Sequence, residues 1–230
     1  FDSYSNINLI NHKKNMGLAS ARNTGIKAGN SEIIFFLDSD MTVKSDWIYQ
    51  FTKGFVNNNI IGIVGDQKLP FELDEKLLDK YLYSNYRGAR QFGENDNIHF
   101  RYFLFSNTCI RRSILDEVGL FDESFRNYGG EDTDLALRIW KNYPTGFRFS
   151  NKAVSFHWSQ KTLAQFYENM KIYGNYNFKY LIKKHPDYIS DFGGDLVNSF
   201  KGKILFNKFI YYIISCLKRI STHPMLIRYF

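Results

Sequence analysis

Two cysteines and four prolines are all that the 230 residues contain of either type. Cys109 and Cys216 stand far apart and match no metal or redox spacing. That removes a disulfide framework and a cysteine zinc site from consideration and fits a reducing cytosol. No cationic-then-apolar leader opens the chain, so nothing in it argues for secretion. It starts at Phe1 with Met16 as the earliest methionine, which leads us to expect a processed chain or part of a longer product. In the C-terminal segment the longest uncharged apolar-rich run, Phe209 to Leu217, is nine residues. A bilayer span needs ~20. Internal repeats and low-complexity tracts are also lacking. Acids are missing from one region altogether: none follows Asp195, whereas Lys201, Lys203, Lys208, Lys218, Arg219 and Arg228 do. Of the net charge of +7, the first 195 residues therefore carry only +1. A near-neutral body argues against nucleic acid as a partner, and the basic tail argues for an anionic one, most simply a membrane surface.

What is abundant is apolar and aromatic side chain, 44% and 18% of the chain, including 22 Phe and 16 Tyr. That composition belongs to a folded protein with a sizeable core. Ile7 to Ile10 is a strand candidate, followed by a polar loop to Gly17 and a helix over Leu18 to Ala28 that stops at Gly29-Asn30. Ile33 to Leu37 is five consecutive large apolar residues, the pattern of a strand buried on both faces. It runs into Asp38-Ser39-Asp40. This strand, loop, helix, strand order predicts a parallel sheet with functional loops at the strand C-termini.

Further on, Asp46 to Val56 reads as a helix, Ile60 to Val64 as a strand, Asp74 to Tyr83 as a helix and Gly88 to Asn97 as a loop. Tyr102 to Phe105 reads as a strand and Arg112 to Val118 as a short helix ended by Gly119. Gly129-Gly130-Glu131-Asp132 opens a helix that runs to about Asn142, with Asp132 on the apolar stripe at i, i+4 to Ala136. Phe147 to Phe149 and Val154 to His157 read as two short strands. Thr162 to Lys184 reads as one long helix stopped by His185-Pro186. In the tail, Phe206, Phe209, Ile210, Ile213, Leu217 and Ile220 share one helical face, opposite Lys208, Ser215, Lys218 and Arg219. This is the pattern of an interfacial amphipathic helix, or of a core helix packed on the domain.

Three groups carry possible chemistry. Two carboxylates at the end of a buried strand need a partner, and a divalent cation or a basic cluster is the cheapest one. Taken alone, however, Asp38 and Asp40 also read as turn or N-cap residues. Glu131, Asp132 and Asp134 in a first helical turn also complement the helix dipole. His157 alone also reads as a satisfied structural histidine.

Taken in order, a strand-Asp-x-Asp, a Gly-Gly-Glu-Asp helix start and a strand ending in His resemble the inverting family 2 glycosyltransferases. Asn15-Met-Gly-Leu-Ala-Ser-Ala-Arg-Asn-Thr-Gly resembles that family's Asn-x-Gly-x-x-x-Ala-Arg-Asn-x-Gly segment. Asn107 through Arg111-Arg112 to Val118-Gly-Leu-Phe-Asp-Glu123 resembles its acceptor-side segment. The likeness covers about residues 6–160. It implies an α/β fold of the GT-A type: a mostly parallel, Rossmann-like sheet flanked by helices, N-terminally incomplete, with a C-terminal helical appendage. The expected divisions are a glycosyltransferase domain over 1–160, a helical extension over 161–195 packing on it and an amphipathic tail over 196–230.

The resemblance also implies roles. Asp40 is expected to ligate Mn²⁺ or Mg²⁺ directly, with Asp38 near the ribose or a metal-bound water and His157 completing the set. Mn²⁺ suits mixed carboxylate and imidazole ligands better. Asp132 is expected to be the general base, Glu131 an acceptor-orienting or supporting group, and Arg22 and Asn23 supports of the donor side. Arg138 is expected to pair with Asp134 or to help hold the diphosphate. The donor is expected to be a nucleotide-diphosphate sugar, probed first as a UDP-sugar, and the acceptor a saccharide or lipid-linked hydroxyl in surface glycan synthesis. The expected location is cytoplasmic, at the inner face of the membrane. The family's first two βα units have no counterpart here, so a fragment with weak donor binding and an open sheet edge is expected. The rival expectations are a non-catalytic, degenerate subunit that binds glycan or a partner and, less favoured, a nucleotidyltransferase.

Overall fold

The computed structural model describes residues 7–195 and 199–205, together with 207, 210 and 212. Most of the tail periodicity, including Phe206, Phe209, Ile213, Leu217 and Ile220, lies outside the described residues. Among those described, no helix is long and apolar enough to cross a membrane. The chain divides into two compact units, Phe1–Tyr180 and Leu181–Phe230, where boundaries after 160 and 195 were expected.

The first unit holds a five-stranded sheet with β1 (Ile33–Leu37), β2 (Met41–Val43), β3 (Gly62–Lys68), β4 (Asn107–Arg111) and β5 (Phe147–His157) in the order β1-β4-β3-β5-β2. The helices around it are α1 (Leu18–Ala28), α2 (Trp47–Thr52), α3 (Leu77–Leu82), α4 (Arg112–Val118), α5 (Glu131–Asn142) and α6 (Leu163–Asn175). Helix α7 (Asn177–Lys184) carries the chain on to the second unit, whose described residues include α8 (Phe200–Leu205).

The α/β class with a helix-flanked sheet is as expected, but the pairing is not mostly parallel. β1, β3 and β5 run the same way, and only β3 and β5 pair in parallel. β4 inserts antiparallel between β1 and β3, and β2 lies antiparallel on β5. The alternation of strands and helices predicts crossovers, but it cannot show that a later strand will slot between two earlier ones.

β1 lies at the sheet edge, with no partner on its other side among the described residues. Its residues are accordingly half-buried, with Phe36 alone fully buried and Leu37 exposed. Phe35 and Phe36 point to opposite faces, as strand periodicity requires. Phe36 enters an edge-to-face cluster with Phe105 and Phe121, at centroid distances of 5.2 and 5.8 Å. Phe35 packs against Trp47 and Phe51. Adjacent aromatics thus pin the strand to a core on each side. Their burial removes apolar area worth roughly 25 cal/mol per Å².

Helices α1, α4 and α5 start and stop where their glycines and apolar spacing predict. Residues 7–10 form no strand and remain exposed, because no described strand lies beside them to pair with. The aromatic run 102–105 is a 3-10 turn over Phe100–Tyr102 and a coil, in which Phe103 and Phe105 are buried by ring packing and not by strand pairing. The long aromatic helix breaks at Tyr176 into α6 and α7. The two short strands predicted before His157 are one strand, β5, with a register shift opposite Gly65 to Gln67. Glu94 holds that irregularity by accepting from Ser150 Oγ and Asn151 N at 3.0 and 2.6 Å. A Cβ on Gly65 would sit 2.2 Å from the Ala153 carbonyl, so only glycine lets the two strands meet.

Candidate active site

Sheet register brings the first two site residues together. Met41 pairs with His157, so Asp40 just before β2 lies beside the last residue of β5. Trp158 N donates to Asp40 O at 2.9 Å, and Asp40 Oδ2 is 3.1 Å from His157 Nε2. Asp40 is the open partner, with a side chain 44% exposed against 18% for His157. Across the ring, His157 Nδ1 is 3.0 Å from the Tyr83 hydroxyl.

The second group forms at the start of α5. Gly129 and Gly130 take φ values of +75° and +97°, a left-handed pair that turns the chain sharply into the helix. Asn177 Nδ2 fastens this turn by donating to the carbonyls of Asn127 and Gly129 at 2.8 and 2.6 Å. Arg22, projecting from α1, meets three acids at once: Asp132 at 2.5 Å, and Asp38 and Glu131 at 3.4 Å each. Phe105 N donates to the other Asp132 oxygen at 3.2 Å. A single guanidinium therefore joins the end of β1 to the start of α5, Arg22 and Asp132 being 110 residues apart in the chain.

The electrostatics of this group are those of crowded, partly buried carboxylates. Burial raises Asp38, with Arg22 opposing and Asp132 and Asp40 adding to the rise. Burial and the neighbouring Asp132 push Glu131 up to about 7. Asp132 is also raised by burial, against the pull of Arg22. One cation does not neutralise three acids in a desolvated site.

Of the expected metal residues Asp40, Asp38 and His157, the structure brings Asp40 and His157 side by side. Asp38 turns to Arg22, and no group of three His, Cys, Asp or Glu residues converges on a metal position among the described residues. Asp40 and His157 remain as a carboxylate and imidazole pair. Their donor types fit a borderline divalent ion such as Mn²⁺, and the surplus of acids around Arg22 favours a cation nearby. Asp40 and His157 would be the residues to hold such an ion.

Asn23 does not face this group. It is buried, accepts from Phe121 N at 3.0 Å and donates to Phe121 O and Glu123 Oε1 at 2.9 Å each, so it locks α1 to the 121–123 loop. Arg138 is structural too, donating to Asp134 Oδ2 at 3.0 Å and to the Val118 and Leu120 carbonyls. Tyr83 and Asn177 escaped the sequence reading. Tyr83 is one of 16 tyrosines and stands in no motif. Asn177 did carry a signal, as a polar residue inside an aromatic helical stretch.

A sequence-family model described as glycosyl transferase family 2 matches residues 1–119, more than half of the chain. The chain belongs to that family. As a family 2 chain it is 24% identical over 169 residues to a chondroitin synthase of Pasteurella multocida, covering 61% of this chain and 17% of that protein. It is 26% identical over 190 residues to a pre-mycofactocin glycosyltransferase of Mycobacterium tuberculosis, covering 80% and 39%. The chain thus spans less than two fifths of the length of these relatives. Among solved structures, that of GalNAc-T7 with UDP, GalNAc and Mn²⁺ overlays with a TM-score of 0.48 at 14% identity, covering 84% of this chain and 45% of that one. Family membership and the helix-flanked sheet agree with the GT-A type expected from the sequence.

Proposed function

We propose that this family 2 chain carries the catalytic centre of a metal-dependent, inverting glycosyltransferase. It moves a sugar from a nucleotide-diphosphate donor, probed first as a UDP-sugar, to a hydroxyl of a saccharide or lipid-linked acceptor in surface glycan synthesis. The observation that carries the reading is the Arg22 bridge, which holds to one guanidinium both Asp132 and Asp38, the latter two residues before Asp40. The bridge supports reading Asp132 as the base of the same site to which Asp40 belongs.

Asp40 and His157 would hold the divalent ion, which supplies Lewis-acid stabilisation of the departing diphosphate. Asp132 takes the proton of the acceptor hydroxyl as that oxygen attacks the anomeric carbon. Burial raises the basicity of its carboxylate, and the bonds from Arg22 and Phe105 N fix its direction. Arg22 sets the distance between Asp132 and the end of β1. Glu131, drawn to the same guanidinium, supports this arrangement from the protein side.

Asp132→Asn tests the base. Transfer is expected to fall by ~10²–10⁴-fold while UDP binding with Mn²⁺ stays as in the parent chain. Unchanged turnover removes the assignment. A calorimetric titration with UDP, with and without Mn²⁺, separates this reading from a degenerate, non-catalytic subunit, which would show no metal-dependent binding.

We further propose that the basic tail holds the protein at an anionic membrane face on the cytoplasmic side. The support is the run of six basic residues with no acid after Asp195. Removal of 196–230 should abolish co-sedimentation with phosphatidylserine vesicles, and equal sedimentation of the shortened chain rules the proposal out.

A further inference from the structure

Tyr83 is held more firmly than a surface tyrosine next to a histidine needs to be. It follows the last turn of α3, and Arg90 surrounds that turn. The guanidinium of Arg90 donates to Ser84 O and Gln67 O at 3.2 Å each and to Leu82 O. It lies 5.8 Å from the centre of the Tyr83 ring and 3.9 Å from the buried carboxylate of Asp66 on β3. A second tie comes from beyond β5. Gln160 Nε2 donates to Asp74 O and to Asp79 Oδ2, at 2.7 and 2.9 Å, and Asp79 is itself buried in α3. The C-terminal end of α3 is therefore fixed to β3 and its first turn to the chain leaving β5, and the Tyr83 hydroxyl just past the helix meets His157 Nδ1.

We infer that Tyr83 is a positioning residue for the cation site, holding the His157 ring so that Nε2 faces the ion beside Asp40. The inference rests on the reading that Asp40 and His157 hold that ion. An ionised carboxylate only accepts, so in the ion-free arrangement Nε2–H donates to Asp40 and Nδ1 accepts from the Tyr83 hydroxyl. When Nε2 gives its lone pair to a cation, the ring proton must sit on Nδ1, and the same hydroxyl then accepts from Nδ1–H. For the neutral ring the two arrangements hold the same number of protons, so the balance is unchanged. A hydroxyl serves both because it donates and accepts; phenylalanine serves neither. Arg90 and Gln160 keep the oxygen in place while the proton changes sides.

The test is a double-mutant cycle on Mn²⁺ affinity, read from the electron paramagnetic resonance of free Mn²⁺ in the full chain. Tyr83→Phe is expected to weaken Mn²⁺ about 10–100-fold in the parent chain and to have no effect in a His157→Ala background. Nitrogen coupling to bound Mn²⁺ should be present in the parent and altered in Tyr83→Phe, and the melting temperature without metal should fall by no more than about 2–4 °C. Equal weakening in both backgrounds, or parent-like affinity and nitrogen coupling in Tyr83→Phe, overturns the role of Tyr83 while leaving the metal site standing. Failure of the parent chain to bind Mn²⁺, or parent-like affinity in His157→Ala, instead overturns the Asp40 and His157 reading and this inference with it.

Discussion

The two halves of the site use the same residue type to opposite ends. Around Arg22, the side chains of Glu131 and Asp132 are 7% and 16% exposed and already committed to a guanidinium. Beside His157, Asp40 is 44% exposed, and its described ion pair is with that imidazole alone. Carboxylates of the first kind are oriented by a cation of the fold and store unfavourable charge, which suits Asp132 to the role of base proposed above; one of the second kind faces solvent, where a ligand can reach it. Burial and partner, and not residue identity, separate an acid suited to taking a proton from one suited to taking a ligand.

The contrast breaks most sharply under substitution of its two centres. Asp40→Asn should cost at least ~10²-fold in Mn²⁺-dependent transfer, measured as UDP release at saturating donor. Arg22→Met strikes the other half. It leaves three acids without their cation and should lower unfolding free energy by about 3–5 kcal/mol in urea titrations above neutral pH. A large loss of stability in Asp40→Asn, or none in Arg22→Met, would reverse the assignment of the two halves.

The pH dependence sharpens the same division. Glu131 is raised from 4.5 to about 7 by burial and Asp132, so the folded chain binds more protons than the unfolded one between those values. Stability should therefore fall as pH rises from about 4.5 to about 7, by a few kcal/mol, and rise again as acid is added back over that window. Glu131→Gln should flatten this slope in urea melts taken at several pH values. An unchanged slope would move the titrating group elsewhere.

Gly130→Ala tests the turn that presents Asp132. At φ +97° with a Cβ 3.0 Å from the Phe125 ring, alanine should cost about 1–3 kcal/mol and lower turnover along with it. The smallest effect expected is that of Asp40→Asn on folding, within ~0.5 kcal/mol, because its carboxylate already faces water.

How legible these features were depended on their range along the chain. Helices α1, α4 and α5 were readable because glycines near their ends and 3.6-residue apolar spacing are local signals. The acids after β1 and at the start of α5 stood out for the same reason, as did His157 after an apolar run. Burial of β1 was over-read, since five apolar residues in a row describe a central strand and an aromatic-flanked edge strand equally well. Asn23 matched a motif, yet its bonds go to the 121–123 loop, and a motif gives the residue type without its partner.

The amino-acid sequence alone determined the family motifs, the positions of the acids and the uneven charge of the body and tail. Only the tertiary structure decided that Asp38 belongs with Arg22 while Asp40 belongs with His157, and that Tyr83 stands behind that histidine. Those assignments depend on strand register: the pairing of Met41 with His157 joins residues 116 positions apart, and the insertion of β4 places Asn107 opposite Leu37 at the end of β1. Register is set by the simultaneous packing of both sheet faces, which no local stretch of sequence contains.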